Sequence, residues 1–172
     1  GLGLFLAIPK GGLVGMKTLP KLVLKIDSRE QKPLTEEFRE SAFDSIVIEG
    51  LPIGDYMAEL DSKELPILFE RKGLGDLFST MTSGYPRFRK ELEKAKQFDC
   101  KLVLLIEGSM REVADGYEYS EYSGDSMLKK LAMLYVRYDL EYHFFNDRRE
   151  MARYIEEVFD AVRRNYKKEE SQ

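Results

Sequence analysis

The chain is 172 residues long, 43% hydrophobic and 34% charged, with a formal net charge of −4. That size suits one domain with a substantial core, and the acidic balance weighs against tight non-specific nucleic-acid binding by charge alone. One cysteine, Cys100, excludes an internal disulfide and suits an intracellular protein of cytoplasm or nucleus; one histidine, His143, excludes histidine-pair catalysis.

In chain order, residues 1–15 resemble neither a signal peptide with a basic start nor a strand, and read as a leader outside the fold. Residues 16–168 form the domain and 169–172 a frayed tail. An apolar strand is expected at 21–27, a helix capped by Thr35 at 35–42, and a β-branched strand at Ser45–Glu49. Residues 54–60 and 65–72 read as a hairpin over a polar turn. Asp76 is expected to cap a helix with Leu77, Phe78 and Met81 inward, ended by Gly84. Pro86 starts a second helix over 87–98.

Residues 101–106 read as a strand buried on both faces, and 114–125 as a polar, tyrosine-rich loop. A helix over 126–139 should turn Leu128, Leu131, Leu134 and Val136 inward. A last strand, Glu141–Phe145, precedes a helix capped by Asp147 that runs to about Lys168. No apolar run approaches the roughly 20 residues of a membrane span. Strands alternating with helices predict an α/β fold: a mixed central sheet flanked by helices.

The chemistry concentrates between Gly54 and Asp76. In the strand ending Glu70-Arg71-Lys72, the two-residue period puts Leu68, Glu70 and Lys72 on one face and Phe69 and Arg71 on the other. Glu70 and Lys72 then point towards Asp55, while Arg71 points away and could pair with Asp76. Two carboxylates can hold a hard divalent cation, and a lysine beside them can orient the attacking water. An isolated Glu-Arg-Lys is usually a surface ladder of ion pairs; the flanking Gly54-Asp55 and Asp76 shift the reading to a site.

The run Gly54-Asp55 … Glu70-Arg71-Lys72-x-x-x-Asp76 resembles the G-D-x(n)-E-R-K-x-x-x-D signature of the XPF/Hef-type structure-specific endonucleases. The likeness extends to Asp27-Ser28-Arg29-Glu30, to Leu51-Pro52-Ile53-Gly54-Asp55-Tyr56, and to the strand ending Glu107-Gly108. It implies a restriction-endonuclease-like fold and an endonuclease using Mg²⁺ or Mn²⁺ on branched, fork or flap DNA in repair or recombination. It also implies a homodimer. Larger members carry helix-hairpin-helix units after this domain, so the chain reads as either a stand-alone nuclease or one domain of a larger protein. The other readings are a restriction-like nuclease with simpler substrates and an inactive DNA-binding scaffold of the same fold. The intact motif disfavours the scaffold.

The resemblance makes Asp55 the central metal ligand, Glu70 a second ligand and Lys72 the water-orienting cation, with Arg71 and Asp76 completing the catalytic set. Asp27 and Glu30 become further acidic groups by the metal. Arg29 contacts phosphate or braces a carboxylate; Glu107 is either a supporting residue or part of a turn. Ser83, Gly84 and Tyr85, with Arg87, Arg89 and Lys90, are the candidate DNA contacts, weighed evenly against a solvated helix face. Tyr117, Tyr119 and Tyr122 either stack on unpaired bases or simply cover surface. The last two helices carry more apolar residues than one stripe each, Met151, Tyr154, Ile155, Val158, Phe159 and Val162 among them. That surplus predicts a two-fold interface which Phe159→Asp should split.

Overall fold

The computed structural model describes residues 4–5 and 17–170. Strands β1 (Leu4–Phe5) and β2 (Lys17–Thr18) form a separate antiparallel ladder, so the expected leader does contain a short strand. The rest of the expected leader, and the last two residues of the tail, lie outside the described residues.

The main sheet is built from β3 (Leu22–Asp27), β4 (Ser45–Glu49), β5 (Tyr56–Leu60), β6 (Lys63–Glu64), β7 (Ile67–Gly73), β8 (Lys101–Glu107) and β9 (Glu141–Phe145). Its order is β4-β3-β5-β7-β8-β9, with the short β6 paired to β5. The β3–β5 and β5–β7 pairs are antiparallel; β3–β4, β7–β8 and β8–β9 are parallel. The sheet is therefore mixed, as the alternating pattern predicts.

The two-residue period of the central strands makes two cores. Leu68, Leu102, Leu104 and Ile106 face α1 (Leu74–Met81), α2 (Tyr85–Gln97) and α4 (Gly124–Tyr138), with Val113 of α3 (Met110–Asp115) in the same cluster. Phe69, Val103 and Leu105 face the other way, onto Met151, Ile155 and Phe159 of α5 (Arg148–Glu170). β8 is buried on both faces for this reason.

Several expectations change. Residues 35–42 hold only a 3-10 turn, Leu34–Glu36, entered from an extended Pro33. Tertiary contacts hold that segment instead. Phe38 meets Phe43 edge-on at 5.4 Å, and the buried Glu156 accepts Arg39 Nε and the Arg39 backbone N–H, each at 2.7 Å. Gly73, not Asp76, precedes α1; Asp76 lies in its first turn, where a negative charge suits the helix dipole. α3 lies mostly between the expected strand and the expected loop, reaching the loop only at Ala114 and Asp115, although Ser109 and Glu112 form a capping box that the sequence displays.

α4 begins at Gly124 under a Ser123 cap, and Met127, Leu131 and Leu134 share its buried face. That spacing throws Val136 outward, and it is 76% exposed. The surplus read on α5 is spent within the chain: Met151, Ile155 and Phe159 are wholly buried, and Phe159 meets Phe69 edge-on at 5.3 Å. Phe159→Asp would break this core rather than split a dimer. α5 also continues to Glu170, into the expected tail. Among the described residues, no helix is long and apolar enough to cross a membrane.

Candidate active site

The site begins at Gly54, whose φ of +75° favours glycine. An added Cβ there would sit 3.3 Å from Leu68 Cβ and from the Phe69 carbonyl oxygen. This close approach lets the Asp55 N–H donate to the Phe69 carbonyl at 2.8 Å. In return the Arg71 N–H donates to Asp55 Oδ2 at 2.8 Å. Two backbone bonds thus fix Asp55 beside β7.

Burial and the nearby Glu30 charge push the Asp55 carboxyl up to about 7, against the Arg71 N–H and the charges of Lys72 and Arg71. Glu70 is 5% exposed, and its Oε2 is buried with no hydrogen-bond partner. Burial pushes its carboxyl well above the usual range; Lys72 opposes this, while Glu91 and Asp55 add to it. Asp55, Glu70 and Lys72 therefore influence one another as the strand alternation requires.

Arg71 turns to the opposite face, but its partner is not Asp76, which is exposed. The guanidinium binds Glu30 through two bonds, of 2.6 and 3.0 Å, and Glu107 at 3.0 Å. Glu107 in turn accepts Arg148 Nη1 at 2.8 Å, and Arg148 Nε reaches Glu37 at 3.0 Å. Tyr56 donates to Glu30 at 3.3 Å. Asp27 is buried too, bound to the Leu51 N–H at 2.9 Å and to Arg29 Nε at 3.0 Å. Arg29 also donates to the Leu51 carbonyl, which makes it a brace in this geometry.

The proposed DNA contacts divide. Ser83, Arg87, Arg89 and Lys90 are exposed around the start of α2, and Arg89 pairs with Glu93 at 3.7 Å. Gly84 is the residue before α2, its N–H held by Ser79. Tyr85 is half-buried under Lys130, whose Nζ lies 4.0 Å from the ring centroid. Tyr117 packs against Phe78, and Tyr119 stands 80% exposed. His143 bonds to Glu141 at 2.8 Å and Tyr154 at 3.0 Å, far from this chemistry in sequence and role.

Sequence reading missed Glu91, Glu37 and Arg148. Only Glu91 carried a local signal: Phe88, Glu91, Leu92 and Ala95 follow the i, i+3, i+4, i+7 spacing of one helix face. Glu91 sits among the exposed Arg89, Lys90 and Glu93, yet it is half-buried and within hydrogen-bonding reach of Glu70.

Among the described residues, no three His, Cys, Asp or Glu side chains form a ready-made metal cage. A hard cation such as Mg²⁺ needs only one or two carboxylates, with water completing its shell. Asp55 and Glu70 fit that demand: both supply oxygen, both are penalised for being charged without a cation, and Glu70 Oε2 is orphaned.

The family model described as "ERCC4 domain" matches residues 26–158. The chain belongs to the ERCC4 domain family, a family of XPF-type DNA nucleases. Its fold resembles XPF from Aeropyrum pernix, with a TM-score of 0.63 at 20% identity, covering 87% of this chain and 70% of that one. XPF from Aeropyrum pernix in complex with DNA matches with a TM-score of 0.60 at 21% identity, over 87% and 66% of the two chains. The mixed sheet between helices is thus restriction-endonuclease-like. Comparison with curated proteins gives no match.

Proposed function

We propose that this ERCC4 domain is a Mg²⁺- or Mn²⁺-dependent endonuclease acting on branched, fork or flap DNA in repair or recombination. The observation that carries the reading is the Asp55–Glu70 pair with its unpartnered buried oxygen, on the strand face that also carries Lys72. Asp55 and Glu70 would hold the cation, which when bound activates water and neutralises charge developing on phosphate. Lys72 orients the attacking water and stabilises the anionic transition state. Arg71 holds Asp55 with its N–H while its guanidinium fixes Glu30. The preference for branched DNA rests on family membership.

DNA is tracked by phosphate contacts from Arg87, Arg89 and Lys90, with Ser83, Gly84, Tyr85 and Arg29 at the margins. Because the chain carries a net charge of −4, these contacts are few and binding is strongly salt-dependent. The domain also pairs as a homodimer, through the exposed face of α4, where Met133, Tyr135 and Val136 are 48%, 56% and 76% exposed. Val136→Asp should give a single-chain mass in sedimentation equilibrium with unchanged thermal stability; a single-chain mass for the wild type at micromolar concentration refutes the dimer.

The activity is tested with flap, fork and plain duplex DNA in Mg²⁺, in Mn²⁺ and in chelator. Asp55→Asn and Lys72→Ala should each slow cleavage by about 10²–10³-fold or more while remaining folded. Near-wild-type cleavage by either variant would sink the assignment. Binding of branched DNA by the wild type without cleavage in either cation favours the scaffold reading.

A further inference from the structure

We propose that Glu91 of α2 is a third acidic member of the cation site, a positioning residue that acts through Glu70. The inference rests on the reading that Asp55 and Glu70 hold a divalent cation, and it assigns the charge balance of that site to a residue outside the motif.

The placement is rigid. Phe88, Leu92 and Ala95 on the same face of α2 are buried in the core over β7 and β8, so Glu91 is carried to the sheet by packing. Its carboxyl comes within hydrogen-bonding reach of Glu70, and its charge is also felt by Arg29. Glu91 is therefore half-buried, and its charge acts on Arg29 and Glu70, the same two groups on which the Asp55 charge acts.

Two ionised carboxylates cannot donate to each other; without a cation, a proton held on Glu70 bridges to Glu91, which helps push its carboxyl up. Glu70 is 5% exposed, and its Oε2 has no donor even with Glu91 beside it. A buried carboxylate turned towards another is favourable only when something positive stands between or beside them. The fixed charges around the site do not supply enough. Asp27 is matched by Arg29, and Glu30 by Arg71. What remains, once all three are ionised, is Asp55, Glu70 and Glu91 against Lys72. That deficit is the charge of one divalent cation.

The residues do not form a three-ligand cage, so Glu91 need not touch the cation. It orients Glu70 and raises the negative charge of the site, and charge count is one of the determinants of cation affinity. Outer partners of metal ligands typically change affinity by about 10–100-fold when removed.

The test is calorimetric titration of the metal-free domain with Mn²⁺ at fixed pH, without DNA, together with the Mn²⁺-induced rise in Tm. Wild type, Asp55→Asn, Glu91→Gln and Glu91→Asp are compared. Glu91→Gln should keep its circular dichroism spectrum and weaken Mn²⁺ binding by about tenfold or more. Glu91→Asp, which keeps the charge but withdraws it, should fall between Glu91→Gln and wild type. Wild-type affinity in Glu91→Gln overturns the inference while leaving the Asp55–Glu70 reading intact. So does loss of fold in Glu91→Gln, which would make the residue structural. If wild type and Asp55→Asn are equally unresponsive to Mn²⁺, the cation reading itself falls and the role of Glu91 with it.

Discussion

The two faces of β7 carry charge in opposite conditions. On one, Arg71 is saturated in that each of its three side-chain nitrogens has a carboxylate partner: Glu30 takes two bonds, Glu107 takes another, and Arg148 and Glu37 extend the chain to α5. On the other, one residue away on either side, Glu70 keeps a buried oxygen unpartnered while Asp55 and Glu91 add like charge. Buried polar groups are normally satisfied, so the contrast separates two roles. The completed face holds geometry. The incomplete face is arranged for something to arrive, and Asp55 belongs to both because the Arg71 N–H binds its Oδ2.

The largest expected effect comes from breaking the saturated face. Arg71→Met removes the partner of Glu30, whose side chain is 5% exposed against 8% for Arg71, and also releases Glu107. Removing one member of a buried ion pair costs about 3–5 kcal/mol, since the other charge stays behind unpaired. Urea unfolding should show a loss of that size. An unchanged midpoint would mean that Glu30 finds solvent, and the division between the faces would be wrong.

Glu70→Gln should act in the opposite direction. Burial raises the folded-state pKa of Glu70 above its ordinary value of 4.5. For such an acid, the protonated form is favoured on folding, and that contribution to stability is lost as pH rises from 4.5 through the raised value. Metal-free wild type should therefore lose stability with rising pH relative to Glu70→Gln, which has no proton to lose. Added Mg²⁺ should reverse the order at alkaline pH, because only wild type offers the second carboxylate. Thermal melts across pH, with Mg²⁺ and with chelator, check both signs. If Glu70→Gln is the less stable at high pH without cation, the face is not strained by charge.

This division was only half legible in the sequence. Alternation along Leu68–Lys72 separates Glu70 and Lys72 from Arg71, and the structure agrees. The partners of Arg71 were not readable: Glu30 and Glu107 lie 41 and 36 residues away, and sequence proximity favoured Asp76. The sheet order brings them together, through β3 at one side and β8 at the other. The strands follow from β-branched and alternating runs, whereas residues 35–42 do not form the expected helix because Phe38 and Arg39 are held by the distant Tyr56 and Glu156 rather than by helical periodicity. The apolar surplus on α5 differs from expectation for a similar reason. A stripe reveals that it needs cover, and the cover turned out to be this chain's own sheet.

The smallest effect probes how far the saturated face reaches. Glu107 lies between Arg71 at 3.0 Å and Arg148 at 2.8 Å, and Arg148 also binds the carbonyls of Lys32 and Pro33. The side chains of Arg148 and Glu107 are 30% and 27% exposed, so water screens this link more than the Arg71–Glu30 pair. Arg148→Met alone should therefore cost less than Arg71→Met. Its consequence should pass through Glu107 to Arg71 and so to Asp55, lowering kcat modestly while leaving KM for DNA unchanged. A double-mutant cycle of Arg148→Met with Glu107→Gln should give a coupling energy of about 0.5–3 kcal/mol, the range for groups that share one network. Strict additivity, with kcat unaffected, would confine the brace to Glu30 and Arg71, and the N-terminus of α5 would then serve the core alone.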